Sequence, residues 1–210
     1  MINSEKPLML VLSSPSGAGK TTLTKKIQQS DNSFKASVSH TTRKARANEV
    51  DGVDYHFVSK ERFQKLIEEK AFYEHAKIFD NYYGTSKLSI KKIIDNKQNV
   101  LFDIDWQGTE KIKKQKLKFK LITFFILPPS RKILFKRLSN RDMKDKLIAS
   151  QRMKQFDKDV LHWKNYDYVV INRNLEKCYK KILKIINSKK YNLNIRYNKK
   201  TIKKHKKKLI

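Results

Sequence analysis

An apolar run, Leu8-Met-Leu-Val-Leu12, leads straight into Ser14-Pro15-Ser16-Gly17-Ala18-Gly19-Lys20-Thr21. No other feature constrains the fold of this chain as strongly. The run reads as a buried strand, and Thr21–Gln29 reads as a helix. A tight loop between such a strand and helix, carrying G-x-G-K-T, is built to hold phosphate. Gly17 and Gly19 let the backbone turn so that successive N–H groups aim at phosphate oxygens. The helix that follows adds the positive end of its dipole. Lys20 can reach the β- and γ-phosphates, and the Thr21 hydroxyl can ligate Mg²⁺. Ser14 stands where a first glycine is usual, yet it removes none of the N–H donors.

The rest of the chain alternates strands and helices. Ala36–Ser39, Tyr55–Val58 and Phe72–Ile78 are short strand candidates, and Ser59 reads as the N-cap of a helix. Ser86–Asn96 reads as a helix, and Val100–Ile104 and Leu121–Leu127 read as strands. Ser130–Ser139 and Ile148–Trp163 read as helices flanking an aperiodic stretch, 140–147, that suits a mobile loop. Tyr168–Ile171 is a last strand, and Asn174 caps a helix with Leu175, Cys178, Tyr179, Ile182 and Ile186 on its apolar face. Continuous apolar strands separated by helices predict an α/β fold with a parallel core sheet covered on both faces. Residues 34–85, richer in short strands, read as an insertion on that scaffold. Phe124, Phe125, Phe135 and Phe156 are core candidates.

Composition matters chiefly through charge. Lys+Arg number 49 against 20 Asp+Glu, a net charge of +29. Residues 189–210 hold ten Lys+Arg and no acid. Self-repulsion and low hydrophobicity predict that the end of this tail is disordered. It could bind nucleic acid or an acidic partner, or it could reflect the general abundance of Lys, Asn and Ile. The single cysteine, Cys178, excludes an internal disulfide and a multi-cysteine zinc site. The apolar run at Leu8–Leu12 is far shorter than the roughly 20 residues of a membrane span, and no secretory signal pattern is evident. A cytoplasmic protein without membrane attachment is expected.

A phosphate loop alone implies only a nucleoside triphosphate. Its partner is suggested by Ser39-His-Thr-Thr-Arg43-Lys-Ala-Arg46-Ala-Asn-Glu49, which sets two arginines three apart after a strand. Such a pair can clamp a phosphate dianion. Glu74 and Asn81-Tyr-Tyr-Gly-Thr85 recur in the same segment. With Gly-Val-Asp-Tyr-His-Phe-Val at 52–58, Asp-Ile-Asp-Trp-Gln-Gly at 103–108 and Asp-Tyr-Val-Val-Ile-Asn at 167–172, the chain resembles the guanylate kinases over about residues 7–188.

That resemblance implies a P-loop nucleoside monophosphate kinase that moves the γ-phosphoryl group of ATP to GMP, and to dGMP, in purine nucleotide metabolism. It implies a core of residues 7–33 and 86–188 with a small lid at about 139–150, a GMP-binding insertion at 34–85, and a basic tail at 189–210. Carried over by position, Ser14 to Thr22 and Asn172 would bind ATP, and Thr21 would hold Mg²⁺ with Asp103 acting through water. Arg43, Arg46, Tyr55 and Tyr83 would hold the GMP phosphate, and Glu49 would belong to the GMP-binding set. Ser39, Glu74, Thr85 and Asp105 would read guanine. Lys20, Arg43, Arg137, Arg141 and Arg152 would be catalytic, converging with the phosphate loop on the gap between two nucleotides docked end to end.

The reader assignment has independent chemical sense. Guanine offers N1–H and a 2-amino group on one edge, and a carboxylate accepts both, whereas adenine offers a bare N1 acceptor. Departures from the family pattern gather around the lid, at Asp142, Lys144, Asp145, Lys146 and Gln151, and at Arg173 beside Asn172. His40 stands where serine is common, and this reading gives it no role. Rival readings are a catalytically silent guanylate-kinase-like binding module, which typically lacks an intact phosphate loop, a nucleic-acid-binding protein, and a kinase for another monophosphate.

Overall fold

Residues 7–115, 118–141, 146–190 and 199–209 are described by a computed structural model. In chain order the elements are β1 (Met9–Ser13), α1 (Lys20–Ser30), β2 (Phe34–Ala36), β3 (Ser39–Thr41), β4 (His56–Phe57), α2 (Lys60–Glu68), β5 (Phe72–Ile78), β6 (Asn81–Ser86) and α3 (Lys87–Asp95). They continue with β7 (Asn99–Asp103), α4 (Trp106–Lys113), β8 (Leu121–Leu127), α5 (Arg131–Arg141), α6 (Lys146–Asp159), a 3₁₀ helix (Val160–Asn165), β9 (Tyr168–Ile171), α7 (Leu175–Lys190) and α8 (Lys199–Lys207). The chain divides into two units, Met1–Leu10 with Asp31–Leu121 and Val11–Ser30 with Ile122–Ile210.

In the first unit the strand order β2-β7-β1 takes in the start of β1, and β2 runs parallel to β7. Val100 N–H donates to the Leu8 carbonyl at 2.9 Å. A second sheet has the order β4-β3-β6-β5, with β6 antiparallel to both β3 and β5. Ser59 caps α2, its hydroxyl accepting from the Arg62 N–H at 3.1 Å. The cap aims Phe63 and Leu66 at this sheet. There Phe63 stacks on Phe72 with ring centroids 4.6 Å apart, and both rings are buried. Ser86 caps α3 in the same way.

In the second unit the order is β1-β8-β9, with β8 parallel to β9 in the register Phe124 opposite Tyr168. Residues Ile122–Leu127 are all buried, as expected of a strand covered on both faces. One apolar cluster joins Phe125, Leu134, Leu138, Phe156, Val160 and Val169. The Asn174 side chain accepts from the Lys177 N–H at 3.0 Å, which opens α7 where the sequence predicts.

Several expectations need correction. β6 and α4 were not foreseen, because Tyr-Gly-Thr and Gln-Gly-Thr are poor strand and helix signals taken alone. The predicted helix over Ile148–Trp163 ends at Asp159, and a 3₁₀ helix completes it. Phe135 is 40% exposed, so it is not a buried core residue. Residues 142–145, in the stretch expected to be a mobile loop, lie outside the described residues.

The tail also differs from expectation. Instead of a disordered end, Lys199–Lys207 forms α8. Ile202, His205 and Leu209 follow helical spacing and are 2%, 6% and 1% exposed. Ile202 and Leu209 enter the Phe125 cluster. His205 Nε2 lies 2.9 Å from the Pro128 carbonyl oxygen, and Arg131 donates to the Leu209 carbonyl at 3.1 Å. A nine-residue lysine-rich helix is not stable alone. Burying Ile202 and Leu209, each worth about 1.5–3 kcal/mol, is what holds it. Deleting residues 199–210 is therefore expected to lower the melting temperature by about 5 °C. The deletion should leave activity per folded molecule unchanged at 20 °C, since no predicted site residue is removed. Scanning calorimetry beside an activity assay measures both, and an unchanged melting temperature would contradict the docked helix.

Candidate active site

The phosphate loop follows β1 in the second unit. Gly17 has φ +80° and Gly19 φ +101°, backbone angles that side chains resist. Their neighbours also stand close. A Cβ on Gly17 would sit 2.9 Å from Leu138 Cδ2, and one on Gly19 would sit 2.3 Å from Asn172 Nδ2. Lys20 begins α1, and Thr21 and Thr22 are exposed in its first turn. Ser14 and Pro15 form the approach, with the Ser14 hydroxyl donating to the Pro15 carbonyl at 2.9 Å.

Three predicted residues from distant parts of the chain meet this loop. Asn172 Nδ2 donates to the Ala18 carbonyl at 2.9 Å. Arg137 donates to Ala18 O at 3.5 Å and to Asn172 O at 3.4 Å. Arg152 donates to the Ser16 hydroxyl at 3.5 Å. The two arginines thus reach the loop that presents Lys20. Asn172 is only 3% exposed and holds the loop through Ala18. Its Oδ1 has no hydrogen-bond partner among the described residues. The Arg141 side chain lies outside the described residues.

The predicted acceptor residues lie in the first unit: Ser39, Glu74, Tyr83 and Thr85 on the sheet of β3 to β6, Arg43, Arg46, Glu49 and Tyr55 between β3 and β4, and Asp105 before α4. The register sets Ser39 and Glu74 each opposite Thr85. The Thr85 hydroxyl donates to Glu74 Oε1 at 2.6 Å and lies 3.4 Å from the Ser39 hydroxyl. All three residues are buried. The strand pairing slips between Phe72 and Glu74, the kind of irregularity that re-aims a side chain. A carboxylate held by a neighbouring hydroxyl in a desolvated place is suited to receive paired N–H donors.

Arg43, Arg46, Tyr55 and Tyr83 also come together, around Glu49. Arg43 Nη2 donates to both Glu49 oxygens, at 2.9 and 2.8 Å. Arg46 donates from its backbone N–H at 2.9 Å and from Nη1 at 3.0 Å. The Arg43 guanidinium lies 5.4 Å from the centre of the Tyr55 ring, which meets the Tyr83 ring edge-on at 6.1 Å. Burial disfavours both charges, but their pairing prevails. The Glu49 carboxyl is held below its usual range by the Arg46 N–H and Arg43, and Glu49 raises Arg43 above its own. Two cations on one anion leave an excess positive charge, which favours a phosphate. Glu49 faces the guanidinium groups and orients them. An acid three and six residues from two arginines was the available signal for that role.

Asp105 caps α4, its Oδ1 accepting from the Gly108 N–H at 2.9 Å. Asp103 ends β7. His40, on β3 between Ser39 and Thr41, alternates to the other side of the strand. Its ring lies 4.6 Å from that of His56, and burial, then His56 and Arg62, lower its pKa to about 4. It is neutral at neutral pH and belongs to the sheet's packing. Among the described residues, no helix is long and apolar enough to cross a membrane.

The guanylate kinase family model matches residues 6–189, a range that ends before α8. A guanylate kinase of Paramagnetospirillum magneticum is 45% identical over 174 residues, 83% of this chain and 81% of that protein. One from Rickettsia prowazekii is 45% identical over 181 residues, covering 86% of this chain and 91% of its own. The crystal structure of guanylate kinase from Anaplasma phagocytophilum superposes with a TM-score of 0.69 at 31% identity, covering 88% of this chain and 87% of that one.

Proposed function

This chain belongs to the guanylate kinase family, and on that premise we propose how its residues divide the labour of the reaction. The protein is an ATP:GMP phosphotransferase, making ADP and GDP. We assign the ATP phosphates to the loop Ser14–Thr22 and the GMP phosphate to Arg43, Arg46, Tyr55 and Tyr83, with Glu49 holding the arginines in place. Ser39, Glu74 and Thr85 read the base, with Asp105 beside them. By domain, GMP binding falls to 34–85, the phosphate-loop core to 7–33 and 86–188, and the lid to about 139–150.

The transfer itself needs positioning and neutralised charge more than covalent help from the protein. The acceptor oxygen attacks the γ-phosphorus in line, while Lys20, Arg137, Arg141 and Arg152 balance the charge that spreads over the transferring oxygens. Asn172 supports the loop through Ala18, which keeps its N–H groups aimed. Water is a competing acceptor, so the transfer requires that it be kept from the γ-phosphorus.

The exposed Thr21 hydroxyl and the Asp103 carboxylate, acting through water, are hard oxygen donors of the kind Mg²⁺ takes alongside substrate phosphates. When bound, the ion neutralises charge on the β- and γ-oxygens. A cytoplasmic location suits an enzyme that consumes ATP and GMP. The lysines of α8 are the part to which we assign any nucleic-acid or acidic partner.

One observation carries this reading: the sheet that buries Glu74 against Thr85 and Ser39 leads, directly after β3, into the Arg43–Glu49–Arg46 clamp. Base reader and phosphate clamp thus belong to one scaffold. A coupled ADP-release assay with ATP and Mg²⁺ against GMP, dGMP, AMP, CMP and UMP tests it. Turnover is expected with GMP and dGMP only. Equal turnover with AMP would refute the reader assignment, and GMP binding without ADP release would favour a silent binding module.

A further inference from the structure

β5 is the outer strand of its sheet, so the carbonyls on its free side have no strand partner. Side chains of α4 take their place. Gln107 Nε2 donates to the Lys77 carbonyl at 3.4 Å, Lys111 Nζ donates to the His75 carbonyl, and Gln115 Nε2 donates to the Tyr73 carbonyl at 2.6 Å. The donors recur every four residues and the acceptors every two, in the opposite direction. Four residues of helix rise about 6 Å, and two of strand rise about 6.7 Å. The near match lets one row of side chains, running from α4 just past its end, engage three successive outward carbonyls. The row fixes where α4 stands along β5.

The same helix carries Gly108, a poor helix former that no local preference explains. A Cβ at this position would lie 2.5 Å from Glu74 Oε2 and 2.9 Å from Glu74 Cδ. Asp105 anchors this turn by accepting the Gly108 N–H. The Glu74 carboxylate therefore sits between the Thr85 hydroxyl on one side and bare helix backbone on the other.

We propose that α4 is the gauge of the base-reading carboxylate. Gly108 leaves the room in which Glu74 takes its reading position, and the Gln107–Lys111–Gln115 row holds that spacing. These are positioning residues that act through Glu74, and the inference rests on the assignment of Glu74 as the guanine reader. Two N–H donors on one edge of guanine must meet the carboxylate together, so a displacement of a few tenths of an ångström weakens both bonds.

The test compares Gly108→Ala, Lys111→Met and Lys111→Arg, with Glu74→Gln as reference. KM and kcat are measured for GMP and for inosine monophosphate, which lacks the 2-amino group, and each variant is melted. In Gly108→Ala the atom that must yield is the end of a flexible side chain, so the fold and melting temperature should be nearly kept. The KM for GMP should rise about tenfold or more while kcat stays within about threefold. The preference for GMP over inosine monophosphate should fall toward that of Glu74→Gln. Lys111→Met should move the same quantities less far, and Lys111→Arg should restore them by donating to the same carbonyl.

A folded Gly108→Ala with wild-type KM and preference, beside a Glu74→Gln that has lost its preference, overturns the gauge and leaves the reader standing. A Glu74→Gln with unchanged preference overturns the reader and the gauge with it. If Gly108→Ala does not fold, Lys111→Met and its arginine rescue decide the matter by the same split of KM against kcat.

Discussion

Replacing Lys20 with methionine is expected to lower kcat by about a thousandfold, the scale seen when one preorganised charge-stabilising donor is removed from a transition state. Methionine keeps the length and much of the bulk of the lysine stem and removes the ammonium group alone. The loop should survive the change, because its shape is set elsewhere. Gly17 and Gly19 supply the left-handed turns, and Asn172 and Arg137 hold the Ala18 carbonyl. Thermal melts of the variant should match wild type. GMP binding, measured by calorimetry without ATP, should also be retained, since the proposed acceptor residues all fall between Ser39 and Asp105. Turnover within tenfold of wild type would remove Lys20 from the catalytic set.

The opposite outcome for the supporting residues separates position from charge. Lys20 would act on the phosphates directly, whereas Asn172, 3% exposed, would act through the loop whose Ala18 carbonyl it holds. A methionine at position 20 thus deletes a charge from an intact cradle. A defect at Asn172 would deform the cradle with every charge still present.

What could be read in advance divides along the range of the interactions. The phosphate loop was legible because everything it needs lies within eight residues, Ser14 to Thr21, between a buried strand and a helix. β5 and β8 begin and end where the sequence predicts, β8 as a continuous buried apolar run and β5 as an alternation of buried and partly exposed residues. Arg43 and Arg46 were visible as a pair. That Glu49 joins them was less so, because in a chain of net charge +29 a lone acid can pair almost anywhere.

The misses depend on partners far away in sequence. Gly108 gains its meaning from Glu74, 34 residues earlier, and no local pattern marks that approach. Asn172, read as an ATP-binding residue, also holds the Ala18 carbonyl 154 residues away, a contact that no local pattern marks. In the tail, Ile202 and Leu209 look sparse among lysines. Only the apolar cluster that receives them turns a solvated arm into a docked helix.

Exchanging Glu74 for glutamine is expected to erase most of the discrimination between GMP and AMP, a preference that a site built for hydrogen bonds can hold at about 10⁴-fold. The substitution is nearly isosteric. The amide oxygen can still accept the Thr85 hydroxyl, which in the wild type donates to Oε1 at 2.6 Å, so the sheet and its buried readers should keep their places. The second atom, however, changes from acceptor to donor. It would then confront the N1–H and 2-amino donors of guanine with N–H groups of its own, a buried polar conflict costly enough to raise the KM for GMP steeply. On that same edge adenine presents a bare N1 acceptor beside C2–H, and an amide N–H can donate to N1. The ratio of kcat/KM for the two monophosphates should therefore fall from both sides, through a loss with GMP and a gain with AMP. Replacement by alanine instead removes the conflict along with the carboxylate, so it should cost GMP affinity without improving AMP. Selectivity that survives glutamine and alanine alike would mean that the base is read by other groups, and Glu74 would then be a buried structural acid for Thr85.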